Sequence, residues 1–161
     1  MILSGSTIRR LGIISPHEPR TRHNGLSYGE SLAGYDIRLA EVVTLIQGHT
    51  TLGVSLEHFT MPTNVLGTVK DKSTWARKGI QVQNTVIEPG WRGHLTLELS
   101  FAPLVREHYT SPLHVSSIDL RSGTPIAQVI FEYVDCDTAG YDGKYQDAAC
   151  VAQPAIFEDV R

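Results

Sequence analysis

Two short stretches of the chain carry side chains that could act on an anionic substrate. The first contains Lys72, Ser73, Thr74 and Arg77 and ends at Gly79. Hydroxyl residues favour the start of a helix and glycine favours its end, so a short helix is predicted. The first turn of a helix presents free N–H groups with a partial positive charge, and the lysine and the arginine add full charges. This stretch therefore predicts a cradle for an anion.

The second stretch brings a carboxylate close to a turn. Pro89 and Gly90 predict the turn, and the residues after it alternate as in a β-strand. One face of this strand carries leucines, and the other carries His94, Thr96 and Glu98. From the pattern alone, Glu98 could be a solvated side chain on an exposed face. A carboxylate beside an anion cradle instead indicates chemistry on a phosphorylated substrate.

Length and composition predict one globular domain over residues 1–161. Apolar residues make up 41% of the chain and charged residues 19%, with a net charge of -3. This charge gives no support to nucleic-acid binding. The apolar runs are too short to span a bilayer, and the N-terminus lacks the apolar segment of a signal peptide. We therefore expect a cytoplasmic protein without nucleic-acid or membrane partners.

The residue types that bind metals show no ligand spacing. The seven histidines form no HxH or HxxxH pair. The chain also lacks an HxE followed by PCxxC, which a zinc-dependent nucleobase deaminase needs. The cysteines, Cys136 and Cys150, are predicted to stay reduced in a chain without an export signal. No metal site is predicted.

Short strands dominate the predicted secondary structure. A helix is expected over residues 1–12, capped by Ser4. Its Ile8 and Leu11 should face inward, and residues 14–33 should form an irregular loop that is mobile at its centre. Strands are predicted over residues 34–39, 42–46, 54–59, 65–69, 80–85, 94–101, 113–120, 126–134 and 151–157, with no assignment for 102–112 and a loop over 135–148. Many short strands with few helices predict an all-β barrel or sandwich.

Several motifs, in the right order, resemble the dCTP deaminase family of the trimeric dUTPase-like superfamily. The KSTxAR motif followed by TLE is the most specific combination. The resemblance implies a distorted, jelly-roll-like β-barrel that assembles as a homotrimer with active sites at subunit interfaces. The matching stretches are Ser27–Gly29, Gly34–Arg38, Lys72–Arg77, Glu88–Glu98, Ile126–Gln128 and Gly143–Gln146.

The resemblance implies that three residues carry out deamination without zinc. Glu98 matches the family's general acid/base, which activates water and moves protons to the ring and the leaving amine. Arg77 matches a buried partner that holds the glutamate and the water in place. Ser73 matches a serine whose hydroxyl positions the water. Taken singly, Arg77 could be a surface arginine and Ser73 a helix cap.

Further residues match the family's substrate contacts. Lys72 and Thr74 match the turn that binds phosphate oxygens, and Glu88 matches an acidic residue that contacts the 3′-hydroxyl of the deoxyribose. Each has an ordinary alternative as a solvated lysine, a capping threonine or a turn residue before proline. The other predicted contacts in the barrel are Thr96, Leu97 and Gln128, of which the last could equally be an ordinary edge-strand glutamine.

The C-terminal residues 135–161 resemble a loop that closes over the substrate. Lys144 and Tyr145 match its contacts with the triphosphate, and Tyr141 stands in for a tyrosine that the family has closer to residue 138. This loop departs from the family pattern at Thr138, Asp147, Ala148 and Cys150. Ala148 replaces a phosphate-contacting glutamine, and Asp147 adds a negative charge. The departures predict lower affinity for triphosphate or a substrate with fewer phosphates.

The resemblance implies a deoxycytidine nucleotide as substrate and Mg²⁺ bound through the nucleotide phosphates. The leading hypothesis is hydrolysis of dCTP to dUTP and ammonia. A dUTPase, or a bifunctional enzyme that releases dUMP and pyrophosphate, is an alternative within the superfamily. Deamination of dCMP or of a modified cytosine nucleotide is a related alternative. A nucleotide-binding regulator that has lost turnover is an alternative of another class.

Overall fold

The computed structural model describes residues 1–103 and 117–157, and these form two helices and twelve strands. The helices are Gly5–Leu11 (α1) and Ser73–Ala76 (α2). The strands are Ile14–Ser15 (β1), Thr21–His23 (β2), Leu26–Glu30 (β3), Tyr35–Arg38 (β4), Val43–Ile46 (β5), Thr50–Thr60 (β6), Val65–Asp71 (β7), Ile80–Val82 (β8), Val86–Ile87 (β9), Arg92–Phe101 (β10), Ser117–Leu120 (β11) and Pro125–Tyr133 (β12).

Three antiparallel sheets curl around one apolar core. The largest has the order β2-β3-β4-β12-β7-β9, the second β1-β6-β10-β8, and the third pairs β11 with β5. Side chains that alternate along β4, β6, β10 and β12 point into the space between the sheets, as the period-2 pattern predicts. The largest fully buried side chains are Tyr35, Phe59, Phe131, Ile8, Ile13, Ile37, Leu39, Leu45, Ile80, Leu97, Leu99 and Leu120.

A buried ion pair joins the two larger sheets. The Nε of Arg38 on β4 donates to Oε1 of Glu57 on β6 at 2.7 Å, and the backbone N–H of Arg38 donates to Oε2 at 2.8 Å. Glu57 is fully buried. Because both carboxylate oxygens have donors, this charge can be accommodated away from water. The pair fixes β6, the neighbour of β10, against the other sheet.

The N-terminal helix confirms one predicted contact and corrects another. Ser4 caps α1 by accepting a hydrogen bond from the backbone N–H of Thr7. Ile8 is fully buried, as predicted. The prediction that Leu11 faces inward is wrong, since 37% of it is exposed. The chain turns away at Gly12, which adopts the left-handed conformation at the C-cap and has open space where a side chain would stand.

The prediction of an irregular loop over residues 14–33 is also wrong. This segment contains β1, which pairs with β6, and the hairpin of β2 and β3. Asn24 and Gly25 form the hairpin turn with positive φ angles of 49° and 79°. Asn-Gly is the preferred pair for a two-residue hairpin turn because both residues tolerate that conformation. The polar composition of the segment favours a loop, and the Asn-Gly pair is the local signal that indicates a hairpin instead.

Three predicted strands differ from the structure or lie only partly within the described residues. The residues described over 151–157 form no strand, because their N–H groups bond to side chains: Gln153 donates to Oγ1 of Thr96 and Ile156 to the hydroxyl of Tyr145. The predicted strand over 80–85 ends at Val82, as β8. Of the predicted strand over 113–120, residues 117–120 form β11, and the remainder lies outside the described residues.

Candidate active site

A cavity of about 390 Å³ lies beside β9 and β10 and brings together five of the predicted site residues. These are Glu88, Thr96, Glu98, Tyr141 and Tyr145. The strand β10 supplies one wall of the cavity, since Thr96 and Glu98 line it while Leu97 and Leu99 point into the core. Leu95, beside a register shift between His94 and Thr96, is half-buried and also lines the cavity. The two tyrosines come from the segment that follows β12. The cavity thus joins a barrel strand to the C-terminal part of the chain.

Glu98 has a carboxylate oxygen that no other described residue satisfies. Its Oε2 atom is buried and has no hydrogen-bond partner among residues 1–103 and 117–157. Burial raises the pKa of Glu98 above its ordinary value of 4.5. A buried polar atom without a partner is rare and calls for an explanation, such as a bound ligand or water. The Glu98 residue lines a cavity that can hold either.

Asn84 is a site residue that the sequence reasoning missed. Its Oδ1 accepts a hydrogen bond from the backbone N–H of Glu98 at 3.1 Å, and its Nδ2 donates to the carbonyl of Thr96 at 2.7 Å. The adjacent Gln83 N–H donates to the carbonyl of Glu98 at 2.8 Å. Asn84 therefore replaces the backbone pairing that stops after Val82 and holds β10 at the position of Glu98. An asparagine close to the end of a predicted strand was the available signal.

His94 also lines the cavity, without a role predicted from sequence. Its Nδ1 lies 3.0 Å from the carbonyl oxygen of Ser55, so this nitrogen carries the proton that it donates. In the neutral ring, Nε2 is then an acceptor. The ring stands edge-on to His58, with 5.3 Å between centroids. Burial, followed by the proximity of His94, lowers the pKa of His58.

The C-terminal segment docks along β10 of its own chain. Trp91 donates its indole N–H to the carbonyl of Tyr145 at 2.7 Å, and the His94 N–H donates to the carbonyl of Ala148 at 2.9 Å. Asp147 forms an ion pair with Arg92, and the guanidinium lowers the pKa of Asp147. The negative charge of Asp147 is therefore balanced within the chain.

The predicted C-terminal contacts form a small network of their own. The hydroxyl of Tyr141 accepts from the N–H of Tyr145 at 3.3 Å, and the hydroxyl of Tyr145 accepts from the N–H of Ile156 at 2.9 Å. Lys144 lies over the ring of Tyr145, at 5.5 Å, and donates to the carbonyl of Ile156. Lys144 does not line the cavity. The tyrosine rings are thus fixed at its edge, whereas the lysine points along the tail.

The helix α2 stands apart from this cavity. Ser73, Thr74 and Arg77 are exposed, and none of them lines the cavity. Trp75 anchors the helix by donating its indole N–H to the carbonyl of Pro125 at 2.6 Å. The structure therefore separates the predicted catalytic serine and arginine from Glu98 within one chain.

The anion cradle predicted at α2 is smaller than expected. The helix is one turn, Ser73–Ala76, and its N-cap is Lys72, which makes no side-chain capping bond. The ammonium of Lys72 is buried, donating to Oδ2 of Asp36 at 2.9 Å and to Ser27 at 3.4 Å. Its charge is consequently balanced inside the barrel. The exposed positive charge beside α2 comes from Arg77 and Lys78.

Two further predicted contacts lie outside the cavity. The side chain of Leu97 is fully buried in the core, so only its backbone is available to a ligand. Gln128, on β12, donates to the hydroxyl of Ser31 and the carbonyl of Ala33, both at 3.3 Å. The cavity itself is lined by Val69, Gln83, Asn84, Thr85, Val86, Ile87, Glu88, Trp91, His94, Leu95, Thr96, Glu98, Tyr141, Tyr145, Ala148 and Gln153.

Comparison with known proteins identifies the family. A family described as dCTP deaminase-like matches residues 4–134. A dCTP deaminase from Aromatoleum aromaticum is 33% identical over an alignment of 197 positions, which covers 96% of this chain and 99% of that protein. The chain belongs to the dCTP deaminase-like family.

Solved structures confirm the fold of this dCTP deaminase-like chain. A 2′-deoxycytidine 5′-triphosphate deaminase from Agrobacterium tumefaciens has a TM-score of 0.61 at 18% identity. That match covers 83% of this chain and 48% of the other, so this chain spans about half its length. A mutant dUTPase from phage phi11 of S. aureus has a TM-score of 0.54 at 14% identity, over 81% of this chain and 92% of that one. The predicted jelly-roll-like barrel of the dUTPase type is therefore correct.

The phage dUTPase coordinates a structural Mg(II) ion. In this dCTP deaminase-like chain, the described residues contain no group of three or more His, Cys, Asp or Glu side chains placed to hold a metal. Among the described residues, Glu88 and Glu98 are the carboxylates that line the cavity. Residues 1–103 and 117–157 also contain no helix with the length and apolar character needed to cross a membrane.

Proposed function

We propose that this chain hydrolyses dCTP to dUTP and ammonia, with Glu98 as the general acid/base and without zinc. The observation that carries the proposal is the buried Oε2 of Glu98, which has no partner among the described residues, on a side chain that lines the cavity beside β10. Family membership and the dCTP deaminase from A. aromaticum support the choice of substrate. Burial raises the pKa of Glu98, so the protonated carboxyl forms more easily than at an exposed glutamate, which suits a group that takes up and returns protons.

The proposed reaction needs one carboxylate to move two protons. Ionised Glu98 takes a proton from water, and the resulting hydroxide adds to C4 of the cytosine as the ring N3 is protonated. A second proton passes through Glu98 from the new hydroxyl to the amino group. The C4–N4 bond then breaks, ammonia leaves with the bonding electrons and a C4 carbonyl remains. Asn84 keeps Glu98 in position by accepting from its backbone N–H and donating to the carbonyl of Thr96.

We assign the completion of the site to a neighbouring subunit of a homotrimer. The exposed Ser73, Thr74 and Arg77 do not reach the cavity of their own chain. Placed against the cavity of a neighbour, Arg77 would stabilise ionised Glu98 and Ser73 would orient the water. Because an interface of this kind is head-to-tail, three copies close a ring with three equal sites.

The remaining residues take substrate-binding roles in this proposal. Glu88 and Thr96 line the cavity beside Glu98 and face the sugar, and Tyr141 and Tyr145 close its edge. Phosphate oxygens are bound by Thr74 and the N–H groups of α2, with Lys144 and the backbone around Lys72. Gln128 and the backbone of Leu97 complete the predicted contacts. Mg²⁺ accompanies the triphosphate as its counter-ion, since the described residues place two carboxylates, Glu88 and Glu98, at the cavity.

The test is a comparison of the parent protein with Glu98→Gln. Purified protein is supplied with dCTP and Mg²⁺, and ammonia and dUTP are measured. Loss of the proton-transfer group should lower kcat by about 100- to 10,000-fold. Glu41→Gln, which changes an exposed carboxylate away from the cavity, is the matched control and should retain the parent rate. Deamination by Glu98→Gln at the parent rate would overturn the assignment.

The same assay separates the alternative functions. Parallel reactions with dCMP and dUTP show which phosphate state is used and whether pyrophosphate is released. Pyrophosphate from dUTP without ammonia from dCTP would indicate a dUTPase. Binding of dCTP by calorimetry without any product would indicate a regulator that has lost turnover.

A further inference from the structure

We propose that Gln153 is a substrate-binding residue that contacts the nucleoside half of the nucleotide through its side-chain amide. This inference rests on the proposed function for the identity of the ligand. Gln153 belongs to the tail that follows the docked C-terminal segment, and it lines the same cavity as Glu98. No resemblance in the motifs described above assigns it a role.

A hydrogen bond to strand β10 fixes the position of Gln153. Its backbone N–H donates to Oγ1 of Thr96 at 2.9 Å. Thr96 and Glu98 are two residues apart on the same face of β10, which separates them by about 7 Å. The docked segment before it is itself held by the bond from His94 to Ala148. Gln153 is thus anchored beside the general base and does not depend on a loose tail for its position.

The amide of Gln153 is available for a ligand. The residue is half-buried, and its Nε2 makes one long contact of 3.4 Å with the carbonyl of Val151, two residues earlier. A glutamine amide has two donor hydrogens and one acceptor oxygen, so the described residues use only part of its hydrogen-bonding capacity. Ala148, which lines the cavity on the same segment, has no polar group to offer. Gln153 is therefore the polar side chain that this tail presents to the cavity.

The distance from Glu98 selects the part of the nucleotide that Gln153 contacts. If Glu98 acts at C4, a group anchored about 7 Å away along the strand lies beside the far edge of the pyrimidine or the sugar. The pyrimidine O2 is an acceptor that suits an amide donor, and the sugar hydroxyl suits either group of the amide. The phosphate chain extends beyond this point. The contact should therefore be equally strong for nucleotides that differ only in phosphate number.

The experiment compares Gln153→Ala and Gln153→Glu with the parent in the full chain. KM and kcat are measured for dCTP and dCMP, and dissociation constants for both are measured in a Glu98→Gln background, where no turnover obscures binding. Gln47→Ala, which removes an exposed glutamine from the turn after β5, is the matched control. Thermal unfolding confirms that each variant folds.

Loss of one hydrogen bond should raise KM and the dissociation constant by about 3- to 10-fold. The factor should be the same for dCTP and dCMP, with kcat nearly unchanged. Gln153→Glu keeps the size of the side chain but loses the amide donors, so it should bind at least as weakly as the alanine variant. Parent affinity in either variant, or a loss confined to dCTP, would overturn the inference. Absence of deamination by the parent would overturn the proposed function instead, and the dissociation constants would still decide the role of Gln153.

Discussion

Strand β10 and helix α2 carry the two halves of the proposed site, and they differ in burial and in the contacts that hold their side chains. The side chains of β10 alternate between a fully buried core and a cavity in which Asn84 and the C-terminal segment hold the strand. The polar side chains of α2 are exposed on a single helical turn. The side chains of β10 are held by contacts within the chain, whereas the polar side chains of α2 are exposed.

Under the proposed function, this contrast explains how the chemistry would be divided between two copies of the chain. A carboxylate with a raised pKa needs burial, and the core beneath β10 supplies it. A guanidinium or hydroxyl that must approach this carboxylate from the other side cannot belong to the same buried strand. Exposed residues on a separate turn can meet this need when a second copy of the chain packs against the cavity.

The largest expected difference between the two regions is in stability. Leu97→Ala leaves a cavity in the core beneath Glu98 and should lower the free energy of unfolding by about 2–5 kcal/mol. Thr74→Ala changes an exposed residue of α2 and should alter it by less than about 0.5 kcal/mol. Urea unfolding measures both. If Thr74→Ala is as destabilising as Leu97→Ala, the side chain of Thr74 makes stabilising contacts that its exposure does not predict.

Asn84→Ala tests whether the hydrogen bonds that hold β10 in place are needed for catalysis by Glu98. The variant leaves the N–H of Glu98 and the carbonyl of Thr96 without their partners, which should cost about 1–3 kcal/mol. It should also lower kcat for dCTP, since the carboxylate is no longer held in position. Asn64→Ala, at another half-buried asparagine, is the control. Normal kcat in a destabilised Asn84→Ala protein would limit Asn84 to a structural role.

The smallest effect concerns the cost of keeping Glu98 charged. Burial raises its pKa in the folded chain, so at low pH the carboxyl is protonated in both folded and unfolded chains and no penalty arises. As pH rises through the folded pKa, the parent must ionise a disfavoured site, and Glu98→Gln does not. The variant should unfold a few degrees above the parent at about pH 8 and at the same temperature near about pH 4.

Calorimetric scans across this pH range measure the difference. Glu41→Gln removes an exposed carboxylate and serves as the control for the change in net charge. A Glu98→Gln protein that is less stable than the parent at about pH 8 would show that the native site favours the charged carboxylate.

Local sequence patterns predicted the strands and the orientation of Glu98 well. Period-2 alternation placed Leu97 and Leu99 in the core and Glu98 on the other face, as the structure confirms, whereas Leu95 is half-buried and lines the cavity. The hairpin turn at Asn24 and Gly25 had an equally local signal, but the polar segment around it was interpreted as a loop. The family was also evident from the motifs, and the comparisons confirm it.

Contacts between distant segments could not be predicted in this way. These contacts depend on how the chain folds back on itself. They include the hydrogen bond from Gln153 to Thr96, the ion pair of Arg92 with Asp147 and the hydrogen bond from Asn84 to β10. Lys72 shows the same limit, because a positive charge predicted to face phosphate is balanced by Asp36 from another strand. Sequence spacing carries no information about such partners until the topology is known.

Mixed assembly tests most directly whether one site is shared between two chains. Glu98→Gln and Arg77→Ala, each inactive alone, are co-expressed with different tags, and assemblies that carry both tags are purified. In every closed ring of three that carries both tags, one interface of the three pairs an intact Glu98 with an intact Arg77, so about a third of the parent deaminase activity should return. Mixed assemblies with no activity beyond that of the separate variants would contradict the account.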